Sequence, residues 1–494
     1  MPRRCIPFAR TYPRKRRGLR WRGAAVLPLV LLILTLPALH PQPSQELAPN
    51  VLFASVEDGV LLFSGSVRSG RLDFPLLGFS SGALSKAYIL RVRGYLLSAA
   101  AHGESFFFVG TAYLDGLPTV LLVQLPSGGR PRAMVIYSEA PLYGVDLLPV
   151  NDTLYIAGYI YRYTPVVESD VIIVKYNYVT GRVEGSLALG SIAFDDYPKR
   201  VLAGGNSILV IGDTYAYNVS QSDVLIAKVT PDLKLIESVA VGGAGRESAE
   251  DAAPMKDGSI LVVGTTVGGT GTPDAFIVRV SDIGGLTYLS AAVGYENEYA
   301  ASVFKVENSY VVALYGRFEE DASFTLLVNY TLKDPWTLEP GTALIVNSSA
   351  GQVTPLRSRN TATAVKIGSC IAVLNPQEKA ACLGEGATPL TVDLLDFKEQ
   401  APRIFTGLYG WRPLWSVVKA RECPSLQASD LQLQVEEIPI SSAKLIVNRQ
   451  KYIKQIDPVR EVIKFIERNM PLLLFTPMLA AAILVILETR KHGL

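Results

Sequence analysis

The sequence predicts an all-β chain: a β-propeller of about seven four-stranded blades, with an N-terminal signal or anchor segment before it and a C-terminal transmembrane helix after it. Three observations lead there. SILVIG, starting at Ser207, returns as SILVVG, starting at Ser259. Each copy is followed by a second matching strand, DVLIAKV from Asp223 and DAFIVRV from Asp274. Self-similarity at a period of about fifty residues marks a repeat array such as a propeller. These strands are continuously apolar rather than alternating, which suits sheets covered on both faces. Between residues 51 and 397 no amphipathic helical pattern occurs.

The leading strand signal runs VLLFSG from Val60, SFFFVG from Ser105, TLYIAG from Thr153, the two SILV copies, YVVALYG from Tyr310 and CIAVL from Cys370. These seven copies, spaced by roughly 45 to 60 residues, are expected to be the innermost strands of the blades. The second strand recurs as AYILRV from Ala87, TVLLVQL from Thr119, DVIIVKY from Asp170, the two copies above and FTLLVNY from Phe324. Third and fourth strands are clearest in the fifth copy, as LTYLSAAVG from Leu286 and AASVFKV from Ala300. Asp58-Gly59 and Asp257-Gly258 supply turns just ahead of Val60 and Ser259, and their chemistry fits that place. Residues 52–56 (LFASV) look like the fourth strand AASVFKV, while the seventh copy is poor in strands. The N-terminal strand is therefore expected to complete the last blade by pairing near residues 391–395, which covers an open edge.

The fuller repeat unit joins Asp274, Arg279, Gly294, Tyr295, Glu298 and Tyr299 with residues 257–266 of the unit before it. It resembles the β-propeller repeats of bacterial and archaeal surface proteins. The match covers residues 50–397 and is strong over 153–318; the first and last copies are degenerate. The resemblance implies an extracellular propeller and transfers no activity, because propellers host many functions.

Two apolar segments bracket the repeats. Residues 24–39 (AAVLPLVLLILTLPAL) follow a basic stretch, residues 1–23, that holds nine Lys and Arg and no acid. That is the layout of a signal peptide or signal anchor. Residues 471–487 (PLLLFTPMLAAAILVIL) span about 26 Å as a helix, near the lower limit for crossing hydrocarbon. A juxtamembrane amphipathic helix is expected at 457–470, capped by Asp457, with Pro458 in its first turn. A cytoplasmic tail, 488–494, follows the span. Positive charge outside both segments puts both termini in the cytoplasm, if the first is uncleaved, and the propeller on the extracytoplasmic side of the cell membrane. Between propeller and helix, residues 398–456 are expected to be a small β-rich stalk module, with 431–453 as a hairpin or small β module.

The net charge is +2, and setting the nine N-terminal cations aside leaves −7. A mildly acidic exterior excludes a nucleic-acid partner, which needs a basic face. Cys370 and Cys382 flank a turn and are a candidate disulfide in an oxidising exterior, with free thiols as the alternative and Cys423 as a competing partner. Asn151, Asn218, Asn329 and Asn347 head glycosylation sequons.

Catalytic motifs are missing. His40, His102 and His492 are far apart in sequence, so a histidine-based triad would have to use His102 alone and histidine-ligated metal sites are excluded. Calcium, phosphate and dinucleotide loops are absent too, so no cofactor and no metal is expected. Carboxylates remain: Asp195 and Asp196, Glu247 with Glu250 and Asp251, and Glu296 with Glu298 recur between the expected third and fourth strands. Asp196, Glu247 and Glu298 are the candidate binding residues, and together they would form an acidic rim. Their register with Tyr143, Tyr197 and Tyr299 equally fits a blade-to-blade hydrogen bond, and Asp170, Asp223 and Asp274 look like turn residues opening a strand. The expected function is a membrane-anchored, non-enzymatic module that binds a protein or glycan partner. The alternatives are a polysaccharide hydrolase or lyase working through those carboxylates, and an accessory subunit of a membrane complex.

Overall fold

The computed structural model describes residues 48–451, omitting 281–297, 398–411 and short stretches at turns. The expectations for residues 1–23, 24–39, 457–470, 471–487 and 488–494, and for the strand at Leu286, lie outside the described residues. Among the described residues no helix is long and apolar enough to cross a membrane, so the expected C-terminal transmembrane helix gains no support from the structure. All described strands belong to one compact unit, Leu47–Leu494.

Among the described residues, apolar runs with both faces covered build seven antiparallel units, called sheets I to VII, of which VI and VII are joined by later strands into one ten-stranded sheet. Sheet I holds β1 (Ala48–Glu57), β2 (Val60–Ser69), β3 (Leu72–Ser81) and β4 (Leu84–Leu90). Sheet II holds β5 (Gly94–His102), β6 (Ser105–Leu114), β7 (Leu117–Pro126) and β8 (Arg132–Tyr137). Sheet III holds β9 (Leu142–Val150), β10 (Thr153–Arg162), β11 (Glu168–Asn177) and β12 (Arg182–Gly190). Sheet IV holds β13 (Asp196–Gly204), β14 (Ser207–Asn218), β15 (Gln221–Val229) and β16 (Leu235–Gly242). Sheet V holds β17 (Arg246–Pro254), β18 (Ile260–Val267) and β19 (Pro273–Val280). Sheet VI holds β20 (Glu298–Val306), β21 (Ser309–Phe318), β22 (Ala322–Asp334) and β23 (Thr337–Asn347). Sheet VII holds β24 (Val353–Pro355), β25 (Thr363–Ile367), β26 (Cys370–Leu374) and β27 (Lys379–Leu383).

Each sheet packs on the next. Phe53, Phe79, Leu96 and Phe108 join I to II, and clusters of the same kind join II to III, III to IV, IV to V and VI to VII. Strands of V contact β20 of VI. Sheet VII returns onto I through Val51, Phe63, Leu356, Ile371 and Val373. A closed sequence of small sheets is the arrangement of a β-propeller. Each fully buried Leu or Phe contributes roughly 1.5–3 kcal/mol to holding it.

The strands next to the axis are not the apolar copies that the sequence singles out. Residues of β1, β5, β9, β13, β17 and β20 line one central cavity, and these strands head their sheets. VLLFSG, SFFFVG and their kin are the second strands, and CIAVL is the third strand of sheet VII. Accordingly AASVFKV is an inner strand of sheet VI rather than a fourth strand of the repeat before it.

Every one of these six inner strands slips register by one residue, bulging at Leu52, Leu97, Val145, Lys199, Glu250 and Ala301. The repeat glycine explains itself here. A Cβ on Gly65, Gly110, Gly158, Gly212 or Gly264 would lie 2.0–2.1 Å from a carbonyl oxygen of the inner strand. No side chain fits such an approach.

After β27 the chain runs back around the outside. β28 (Leu390–Phe397) pairs with β23 of sheet VI. β29 (Arg412–Trp415), β30 (Lys419–Arg421), β31 (Gln427–Leu431) and β32 (Val435–Ile438) become the fifth strands of sheets IV, III, II and I in turn. β33 (Ile440–Lys451) joins sheet VII and lies parallel to β28, beside the strand where the circuit began. Fourth strands that would otherwise be open edges are thereby covered.

Two expectations are corrected. Residues 52–56 pair within sheet I, with β2, whereas residues 391–395 pair with β23 and β33. Their likeness to AASVFKV is that of two inner strands. Among the described residues, 431–451 form no hairpin with one another, and the described part of the expected stalk is this outer belt. Cys370 and Cys382, opposite each other on β26 and β27, are joined by a disulfide with Cα atoms 3.9 Å apart; Cys423 is free and half-buried.

Candidate functional site

The inner strands all begin at one end of the channel, here called the upper end. One register position there carries Asn50, Tyr95, Tyr143, Tyr197, Ser248 and Tyr299. Directly opposite on the second strands stand Ser66, Thr111, Tyr159, Asp213, Thr265 and Tyr315, and residues so paired share a face. Tyr143 stacks on Tyr159 at 4.5 Å between centroids, and Tyr159 meets the edge of Tyr197 at 5.1 Å. Tyr299 stacks on Tyr315 at 5.2 Å. Burial pushes the Tyr143 hydroxyl up to about 12 and raises Tyr159 and Tyr197 as well, so these phenols stay neutral hydrogen-bonding groups. Beside sheets I and II the mouth opens into a cavity of about 600 Å³ lined by Asn50, Leu52, Ser66, Tyr95 and Leu97 among others.

Between sheets IV and V the tyrosines give way to charge. Asp213 Oδ2 accepts from Ser248 Oγ (2.9 Å), and Asp213 Oδ1 accepts from Ala249 N (2.8 Å). Ser248 Oγ also lies 3.5 Å from Glu250 Oε1. Lys199 Nζ stands 3.7 Å from Asp213 and 3.8 Å from Glu250. Burial pushes the Asp213 carboxyl up to about 6, against the pull of Lys199. Glu250 is more open, its side chain 34% exposed.

One step further along the channel the residues that follow the bulges interlock. Ser98 donates to Asp146. Arg200 pairs with Asp146 (3.7 Å) and Asp251 (2.6 Å). Asp146 and Asp251 each accept a backbone N–H from the next inner strand, Val201 N and Val303 N, both at 2.9 Å. All four side chains are buried. Arg357, whose carbonyl accepts from Ala54 N of sheet I at 2.9 Å, sends its guanidinium to the carbonyl of Lys199 in sheet IV. Beyond this level the lower cavity, about 810 Å³, is mainly apolar, with Ala101, Pro149, Leu202, Ala253 and Phe304 in its wall.

Of the residues singled out by sequence, Asp196, Glu247 and Glu298 do share one register position, three residues ahead of the bulge and one ahead of Tyr197, Ser248 and Tyr299. They alternate with the channel-facing residues, which turns the buried Asp196 and Glu247 between sheets. Asp196 accepts from Ser191 N (2.7 Å) and Oγ (2.9 Å), and burial pushes it up to about 6. Glu247 accepts from Thr266 Oγ1 (2.9 Å) and Gly243 N (3.3 Å) and shares a hydrogen bond with Asp223. Burial, then Glu247, pushes Asp223 up to about 6. The Glu298 side chain lies outside the described residues. Asp195 accepts from Ser169 N (2.8 Å) and Oγ (2.9 Å), a link between sheets III and IV. Asp170 is no turn residue: it is buried beside Arg162 and Arg421, the latter supplied by the belt. Asn151 is an exposed turn residue with φ 51° and Asn347 is exposed, whereas Asn218 ends β14 and Asn329 is half-buried within β22.

Sequence reasoning missed Asp213, Lys199 and Arg357. Asp213 did leave a signal, because it follows the repeat glycine where the other copies carry Ser66, Thr111, Tyr159 and Thr265.

No family model matches the chain, and no curated protein does. Among solved structures, an exo-1,5-alpha-L-arabinanase from a bovine ruminal metagenomic library is similar over 59% of this chain and 96% of its own, at 8% identity and TM-score 0.28. The GH32 beta-fructofuranosidase of Bombyx mori is similar over 81% of this chain and 93% of its own, at 10% identity and TM-score 0.26. Both are named as enzymes, so the expectation that this chain is not an enzyme gains no support from them. At those TM-scores neither alignment transfers a residue or a reaction.

Proposed function

We propose that the chain is a seven-bladed propeller that binds saccharides in its tyrosine-lined mouth and hydrolyses glycosidic bonds there. Asp213 is the proton donor and Glu250 the second carboxylate. The observation that carries this reading is the pair itself: a carboxyl held near pH 6 and a second carboxylate, both reaching Ser248 Oγ. A general acid works best with its pKa near the operating pH. Carboxyls that share one hydroxyl suit the spacing of retaining glycosidases, about 5 Å. Asp213 would protonate the departing glycosidic oxygen, Glu250 would attack the anomeric carbon, and water would then release the sugar and regenerate Glu250. Neutral tyrosine faces offer apolar platforms for sugar rings.

The charge asymmetry of the sequence supports a place at the cell membrane with the propeller outside. Digestion of intact cells with an added protease checks this: loss of the propeller is expected, and its survival until lysis contradicts it.

Purified full-length chain, incubated with neutral and acidic polysaccharides, should release reducing ends. Asp213→Asn and Glu250→Gln should each lower that release by at least about 100-fold while melting temperature holds. Undiminished turnover in both variants, or none on any polysaccharide, overturns the proposal.

A further inference from the structure

Arg357 links two sheets on opposite sides of the ring. Its backbone is tied to sheet I and its guanidinium reaches the backbone of sheet IV, so the side chain crosses the axis just below the mouth. Burial, then the neighbouring Arg200, lowers its affinity for its own proton. The two guanidiniums are nevertheless placed differently. Arg200 has two carboxylate partners, whereas Arg357 Nε is buried and finds no hydrogen-bond partner among the described residues. A buried charged donor left unused is costly. Spanning from sheet I to sheet IV at the level of Lys199, Arg357 places its guanidinium just beneath Tyr197 of the mouth. The ammonium of Lys199 stands in the same mouth.

We infer that Arg357 is a specificity residue for an acidic saccharide: a hexuronate unit at a chain end, with its carboxylate on the Arg357 guanidinium and its ring between the mouth tyrosines. A planar carboxylate matches the guanidinium fork. Of the three carboxylates that act on Arg357, Asp146 and Asp251 are already engaged by Arg200 and backbone N–H groups, and Glu250 stands 3.8 Å from the Lys199 ammonium. The inference rests on the saccharide-binding half of the proposed function and not on turnover.

Titration calorimetry of the full-length chain with oligogalacturonate, with the same oligomer after carboxyl reduction, and with acetate tests it. Wild type should bind oligogalacturonate at least tenfold more tightly than the reduced oligomer, and acetate only weakly. Arg357→Met should abolish that preference and Arg357→Lys should keep part of it. Melting temperatures identify any variant that fails to fold; Arg357→Lys then carries the comparison, with a smaller preference expected than in wild type. Equal binding of charged and reduced oligomers by wild type, or an intact preference in Arg357→Met, overturns the inference. Cleavage of neutral chains alone would sink this assignment and leave the proposed hydrolysis standing. Tight binding of the acid without cleavage would do the reverse.

Discussion

The two ends of the channel are lined by the same six inner strands and differ in almost every chemical respect. Above the bulges stand Tyr95, Tyr143, Tyr197 and Tyr299 with Asp213, and Lys199 and Glu250 are bulge residues beside them. Below them the wall is mainly apolar, with Ala101, Pro149, Leu202, Ala253 and Phe304, and its charged members are Glu57, Arg200 and Lys305. A strand alternates its side chains with period two, and an inserted residue reverses which of them face the axis. One bulge per strand, at the same height in six sheets, therefore lets a single strand present a polar face at one end and an apolar face at the other. Between the ends the collar of Ser98, Asp146, Arg200 and Asp251 ties neighbouring sheets together. What makes the upper end chemically distinct is a backbone device, and the glycines opposite it are its visible trace.

The sharpest way to break the comparison is to remove that device. Gly212→Ala would set a Cβ 2.1 Å from the Tyr197 carbonyl, and the expected outcome is loss of the cooperative melting transition, or a cost above about 4 kcal/mol. Gly205→Ala serves as the control, at a turn with φ 62° where nothing lies within 4 Å of the new atom; it should cost about 1 kcal/mol. Opening the collar comes next. Arg200→Met deprives two buried carboxylates of their cation and should destabilise by about 3–5 kcal/mol in denaturant titration.

Acidity acts on the upper end. Asp196, Asp213 and Asp223 are each held near pH 6 in the folded chain, against about 3.9 when unfolded. The folded state thus binds more protons than the unfolded state between those values. Their contribution is fully present below about pH 4 and is lost as pH rises through 6. Asp213→Asn should flatten this part of the melting-temperature profile between pH 4 and 7, and an unchanged slope would contradict the assignment. The smallest effect is expected at the lower end, where Ala101→Leu should leave saccharide turnover within about twofold of wild type, since a conservative change remote from the reacting groups touches neither binding nor chemistry.

The β-rich repeat was legible from the SILV copies, and so was the shared register of Asp196, Glu247 and Glu298. Strand order was not. The second strands are apolar on both faces and dominate the pattern, while inner strands such as DYPKRVLAG and RESAEDAAP carry the collar charges and hide from a hydrophobic reading. Tertiary pairing overrode local pattern there. The belt was illegible for another reason. Lys419–Arg421 and Val435–Ile438 hold their places by backbone pairing to existing edges, which demands no repeat and little apolar content. Arg357 stayed hidden because its role depends on a reach across the channel that no local spacing encodes.

Amide hydrogen exchange with and without oligogalacturonate compares the two ends in a single measurement. Slowed exchange should concentrate at Tyr143, Tyr197–Arg200, Asp213 and Ser248–Glu250, while Ala100–Ala101, Leu202–Ala203 and Ala252–Ala253 stay unchanged. Protection centred on the lower wall or on the belt, with the tyrosine mouth untouched, would contradict the account.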